Sequence, residues 1–276
     1  MQANQIPQLI ALAFAANGNR NAIPEQSQIG VTQGAASFND GFPPATFTPI
    51  PAGGTPPRGG DFNGIFYLIT QLQRWQNAGG MFQYNAAFAT DPNVGGYPEG
   101  AMLLRADMTG FWVNTVDNNT TNPDATDGSA SGWVPGFNIG GATLSGLTEG
   151  TVTMAPRDAA KSRIFLAGAL TSNLTVIFPN WVKDWKVTNN TTGAFAVTCK
   201  TAAGTGVTAV QGITTSIYGD GTNLNIDPAT FPVTGPSSTR PPAMFIGQTH
   251  LDPNNGEIRV WQISPPIWKN SAGVAV

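Results

Sequence analysis

Charge is scarce in this chain. Asp, Glu, Lys and Arg make up 11% of its 276 residues, under half the roughly 25% of an ordinary soluble domain. The 13 basic residues are spread along the chain and outnumbered by 16 acidic ones, for a formal net charge of −3. Binding nucleic acid through its phosphates needs a basic stripe, which is missing. A polybasic run that would address an anionic membrane surface is missing too. With one cysteine, Cys199, and one histidine, His250, a single chain cannot form a disulfide, and zinc sites, thiol–imidazole pairs and Ser–His–Asp triads are not expected from it. Cys199 sits in an alternating stretch, Val197-Thr-Cys-Lys-Thr201, and reads as a half-buried strand residue. No run approaches the 18 or so apolar residues of a membrane-spanning helix. Leu9–Ala16 has the length of a signal-peptide core, yet the first basic residue, Arg20, follows it. That order predicts a short buried helix, stopped by Asn17-Gly18, rather than a cleaved leader.

Glycine and proline are plentiful, 33 and 22 residues, and a 41% hydrophobic share still supplies a core. From Gly30 to Gly60 the chain is punctuated by Asp40-Gly41, Pro43-Pro44, Gly53-Gly54 and Pro56-Pro57. So long an irregular stretch is expected to lie against something, such as another subunit. One helix follows, near 61–78: Asp61 is placed to cap it, and Phe62, Ile65, Phe66, Ile69 and Leu72 recur at helical spacing before Gly79-Gly80 ends it. Tyr67, Leu68 and Trp75 widen its apolar surface beyond one stripe. Phe62, Ile65, Phe66, Ile69, Leu72 and Trp75 are therefore candidates for packing against a symmetry mate or an attachment partner.

Beyond the helix the period changes to two. Ala101–Arg105 and Phe111–Val116 read as a hairpin, Asp117–Ser131 as a polar surface loop, and Gly136–Gly150 as a Gly-rich linker. Strand-like runs then recur every 8–12 residues: 174–178, 185–188, 194–199, 206–210, 213–218 and 224–226. This spacing points to an all-β sandwich, with Asp220-Gly221 as a hairpin turn. Pro228–Pro242 reads as a second linker, and 243–268 as three more short strands with turns at 252–256 and 265–266. The expected fold class is mainly β and modular: an irregular N-terminal region with one or two helices, then small β-sandwich-like modules. The expected divisions are 1–100, a β module at 101–140, a linker at 141–160, a sandwich-like module at 161–230 and a C-terminal β tip at 231–276.

Few motifs carry chemistry. Asp117, Asn119, Thr121, Asp124 and Asp127 form an oxygen-rich loop, but it lacks the glycine and glutamate of an EF-hand, and a solvated loop is expected. Asn-X-Thr matches starting at Asn118, Asn119, Asn173, Asn189 and Asn190 read as turn chemistry. No spacing singles out a catalytic pair among Asp158, Asp184, Asp220, Asp227, Asp252 and Glu257, and no glycine cluster has the lysine of a phosphate loop. The expectation is a protein without enzymatic activity, cofactor or metal. In the C-terminal segment, Trp261 and Trp268 occur with His250, Asn254, Asn255 and Arg259. Flat aromatic faces beside planar hydrogen-bonding groups suit sugar or protein recognition, so these six are candidate receptor contacts. For Trp261 and Trp268 individually, a small β module that keeps its tryptophans in the core is the favoured reading.

Two runs carry a family pattern: Ser37-Phe-Asn-Asp-Gly-Phe-Pro-Pro-Ala-Thr-Phe-Thr-Pro-Ile-Pro-Ala-Gly-Gly54 and Pro56-Pro-Arg-Gly-Gly-Asp-Phe-Asn-Gly-Ile65. With Arg74–Gly80, Gly95–Ala101, Phe111–Thr121 and Gly132–Val134, they resemble the N-terminal region of tail fibre proteins of tailed bacteriophages and prophages across residues 30–134. Residues 174–225 are similar to a β module of the same proteins, and 246–268 to terminal segments of phage fibres and spikes. The resemblance implies an intertwined homotrimer in the virion tail. Its N-terminal region would attach to tail or baseplate proteins, and its distal end would meet a glycan or protein of the bacterial surface. It implies neither nucleic-acid binding nor membrane insertion. The chain departs from the pattern in having no collagen-like or heptad shaft, which leaves open a baseplate or fibre-network adaptor without host contact. A tailspike depolymerase is the third alternative.

Overall fold

The computed structural model describes residues 7–127, 129–227, 233–234, 249–252, 256–263 and 266–276, some of the C-terminal strand residues through their backbone alone. The fold is mainly β, 31% strand against 14% helix. The chain divides into two compact units, Met1–Phe82 and Gln83–Val276.

The first unit is built on helix α1, Gly59–Asn77. It starts two residues before Asp61, with Arg58 at the N-cap and no side-chain cap, so the expected capping role of Asp61 is corrected. Its carboxylate lies in the first turn, where the helix dipole favours an anion, and it is used in two directions. Asn21 Nδ2 donates to Oδ1 (2.7 Å) and the Ala36 N–H donates to Oδ2 (2.8 Å), tying two loops to the helix start. The segment expected as a buried helix, Leu9–Ala16, forms turns instead, with Leu9, Leu12 and Phe14 exposed. It runs along α1: Phe14 N–H donates to Thr70 Oγ1 (2.8 Å), Asn63 Nδ2 to the Asn19 carbonyl (2.6 Å), and Arg20 lies 4.0 Å over the Tyr67 ring. Eight apolar residues are too few to nucleate a helix without a covered face. Gly64 lets this strap come close, since a Cβ there would stand 2.1 Å from the Asn21 carbonyl oxygen. The loop at 30–60 folds back on its own unit with two short 3₁₀ turns, Pro44–Thr46 and Ile50–Ala52. At the far end, Gly79 takes φ +79°, the left-handed C-terminal stop that the sequence predicts.

The second unit opens with the expected hairpin. β1 (Met102–Leu104) and β2 (Gly110–Asn114) are antiparallel, and β3 (Trp133–Asn138) adds to β2. Residues 83–100, expected with the N-terminal region, pack here: short helix α2 (Ala86–Ala89) and Tyr97 join Leu103, Trp112 and Trp133 in one apolar cluster.

The next stretch overturns the linker and sandwich expectations. Residues 141–160 are no linker; they form β4 (Gly141–Leu144), β5 (Gly150–Thr153) and α3 (Pro156–Ala159). β6 (Arg163–Leu166), β7 (Leu174–Phe178), β8 (Val182–Asn189) and β9 (Val197–Thr201) follow. β4, β6 and β8 pair in parallel in one sheet, and β5, β7 and β9 in parallel in another. Successive strands thus alternate between two facing sheets, and the chain winds as a short β-solenoid of three rungs. Gly141 pairs with Arg163 and Arg163 with Lys186, while Gly150 pairs with Leu174 and Leu174 with Val197; the repeat is therefore 22–24 residues. Inward side chains stack in columns, Ala142–Ile164–Val187 and Val152–Val176–Cys199, within a single core. After the third rung the chain reverses. β10 (Gly206–Thr208) adds antiparallel to β9, β11 (Thr214–Asp220) to β8, and β12 (Leu224–Ile226) to β11. Asn189 closes the Leu144–Leu166 column, its amide donating to the Ala209 carbonyl (2.7 Å) while its oxygen accepts from the Thr191 N–H and hydroxyl. The Asp220-Gly221 turn is where the sequence places it.

At the C-terminus β14 (Thr249–Asp252), β15 (Gly256–Ile263) and β16 (Pro266–Asn270) form the expected antiparallel strands. β13 (Val233–Thr234), inside the predicted second linker, adds parallel to β14; the rest of that linker lies outside the described residues.

Candidate interaction surfaces

Helix α1 presents an apolar face. Phe62, Phe66, Ile69, Leu72 and Trp75 are exposed, Ile69 and Leu72 each by 51%, and Ile65 is half-buried. Aromatic neighbours border it: Phe42 packs on Phe62 (4.7 Å between centroids), Phe14 on Phe66 (5.4 Å) and Phe82 near Trp75 (6.5 Å). An apolar face of this kind is unusual on a monomeric protein.

The C-terminal candidates scatter. His250 is fully buried and Trp268 is 6% exposed, their rings 6.3 Å apart edge to face, in a cluster with Ile258 and Val260. Neither offers a face to a receptor, because a four-stranded sheet this small fills its core with its largest side chains. Arg259 and Trp261 lie on β15, with a register shift at Trp261. Asn254 and Asn255 lie outside the described residues.

The loop at 117–127 spends its oxygens on the protein. Asp117 accepts from Glu99 N–H, Asp124 from Ala106 N–H, and Asn119 is buried, holding Asn114 and Thr121. Among the described residues no group of His, Cys, Asp and Glu could hold a metal ion. Nearby lies a charged joint the sequence reading missed. Arg105 is buried beneath the hairpin (side chain 1% exposed), paired with both oxygens of Asp107 at 3.1 Å. It also donates to Asn138 Oδ1 (2.8 Å) and to the Arg157 carbonyl (2.6 Å), and lies 5.1 Å from the Trp112 ring. Lys161 reaches Asp107 at 3.1 Å. Burial pushes the Asp107 carboxyl up, but hydrogen bonds from Arg105, the Thr109 hydroxyl and N–H, and Lys161 outweigh it and hold the group well below the carboxylate range. The cluster joins the β1–β3 sheet to α3. The only sequence signal was a lone arginine ending the apolar run Ala101–Leu104.

A groove of about 560 Å³ runs across the rungs at the corner where each leaves the second sheet. Thr153 and Met154 line it on the first rung, Ile177, Pro179 and Asn180 on the second, Ala202 and Ala203 on the third, and Thr222 in the closing turn; no lining residue is charged. Beside it, on the outer face of the same sheet, Thr151, Thr175, Thr198 and Thr208 stand in register in one row. On the opposite sheet Thr188 and Thr214 share a hydrogen bond (2.8 Å), whereas the hydroxyls of this row are committed to no partner. The groove follows from the 22–24-residue repeat, whose traces are Leu144-Ser-Gly-Leu-Thr148 and Leu166-Ala-Gly-Ala-Leu-Thr171.

No protein-family model matches this chain, and no curated protein matches it either.

Proposed function

We propose that this chain is a structural virion component: a tail fibre of a tailed bacteriophage that associates as a homotrimer, attaches to the tail or baseplate through its N-terminal region and meets the bacterial surface. The observation that carries this reading is the apolar face of α1, which a single chain leaves exposed. The resemblance of residues 30–134 to tail fibre N-terminal regions agrees with it, and so do the scarcity of charge and the mainly β fold. Weak contacts repeated on three chains would add through effective concentration.

The test pairs two measurements. Light scattering of the purified chain should give three times the 28.8 kDa chain mass, and a monomer would remove the basis of the proposal. Whole-cell adsorption is then compared between the full chain and one ending at Pro236. A second reading, a fibre-network adaptor without host contact, is favoured by the inward placement of His250 and Trp268. It expects a trimer that adsorbs to no cell in either form.

A further inference from the structure

We propose that the groove across the three rungs, continued by the threonine row beside it, binds an uncharged polysaccharide lying along the solenoid axis. This rests on the reading that the chain meets a cell surface, and it puts a contact on the solenoid itself rather than on the C-terminal strands.

Three observations converge. First, the groove is assembled from the same corner of successive rungs, so its contacts repeat at the strand spacing, about 4.8 Å. A polymer of regular repeat can use one kind of contact several times over, and the advance per ring of an extended sugar chain is close to that spacing. The threonine row spans three such steps, about 14 Å. Second, the chemistry is that of a sugar site: an apolar floor from Met154, Ile177 and Pro179, rimmed by the side chains of Thr153, Asn180 and Thr222, none of them hydrogen-bonded within the protein. Apolar surface packs against the C–H faces of a ring, while hydroxyl and amide groups both give and accept hydrogen bonds with its hydroxyls. Third, the alternatives fit poorly. A polyanion fits poorly, because the groove lining holds no cation and Lys200, the ladder partner of Ile177, is a single charge beside it. An extended peptide lying across the row needs free backbone partners, and those beneath Thr175 and Thr198, on the two central strands of the ladder β10–β9–β7–β5, are already paired. Lys200, next along β9, is the one charged outward side chain on that sheet face.

The test uses the full chain on immobilised neutral polysaccharides (dextran, mannan, galactan and a β-glucan), with adsorption to a panel of bacterial strains measured in parallel. Two variants probe the site. Thr175→Val with Thr198→Val keeps shape and strand preference while removing two hydroxyls. Ala203→Trp fills the groove from an exposed position. Thr188→Val with Thr214→Val, on the other sheet, is the control. The expected result is retention of the unaltered chain on at least one polysaccharide, weakened tenfold or more by each probing variant and under twofold by the control. Equal retention of all variants overturns the site. Adsorption to cells with no polysaccharide retained overturns it while leaving cell attachment standing. Failure of both binding measurements overturns the site and the cell-surface reading together.

Discussion

Removing the Asp107 carboxylate is the sharpest test of how the second unit is held together. Arg105 is 1% exposed and its principal charge partner is Asp107, whose own side chain is 39% exposed. Breaking a buried ion pair from one side costs about 3–5 kcal/mol, because the surviving charge stays buried and uncompensated. Two features reduce that figure here. Arg105 keeps Asn138 Oδ1 and the Arg157 carbonyl, and solvent already screens the exposed side of Asp107. Asp107→Ala should therefore destabilise by about 2–3 kcal/mol, read as a lower urea midpoint at unchanged slope, followed by tryptophan fluorescence. The pH dependence has a fixed sign. The folded carboxyl titrates below its unfolded value of about 3.9, so its contribution is fully present above that pH and fades as the pH falls through the folded value. The gap between Asp107→Ala and the unaltered chain should be constant from pH 7 to about 5 and narrow in stronger acid. A loss under about 0.5 kcal/mol, the size of an ordinary surface pair, would refute the reasoning.

Other perturbations reach the remaining parts. Ile69→Glu with Leu72→Glu should convert a trimer to monomers in light scattering without altering the circular dichroism; an unchanged mass would move association away from α1. Leu166→Ala, which opens the middle of the solenoid core, should cost about 2–5 kcal/mol in the same urea assay. Gly168→Ala would set a Cβ 2.1 Å from the Leu147 carbonyl oxygen, where one rung corner lies on the next, and should cost about 1–3 kcal/mol; a neutral result would mean the corners are not stacked. Burial raises the Cys199 thiol to about 12, so it should resist a maleimide at pH 8 in the folded chain and react within minutes in urea.

Local chemistry settled much of this protein in advance. α1 was legible because Phe62, Ile65, Ile69 and Leu72 keep helical spacing over several turns, and its end was legible because glycine alone takes the left-handed turn at Gly79 cheaply. The hairpin at 101–116 and most strand positions from 174 to 226 were legible from alternation, which depends only on neighbours along the chain. Sheet membership was not. Alternation is the same whether a strand pairs with the next one in sequence or with one 23 residues away, so sandwich and solenoid look alike strand by strand. Which one forms is decided by the columns Ala142–Ile164–Val187 and Val152–Val176–Cys199, which bury apolar surface only when the rungs stack in parallel register. The same holds for Arg105, an unremarkable charge at the end of a strand until Asn138 and the Arg157 carbonyl, 33 and 52 residues further on, surround it. His250 reverses the case: its chemistry suggested an outward face, and the packing of a four-stranded sheet turned it inward, near Trp268, for which a core position was already the favoured reading. Sequence fixes what each residue prefers from its neighbours, whereas contacts between distant segments exist only once the whole chain has found the arrangement that buries its apolar surface.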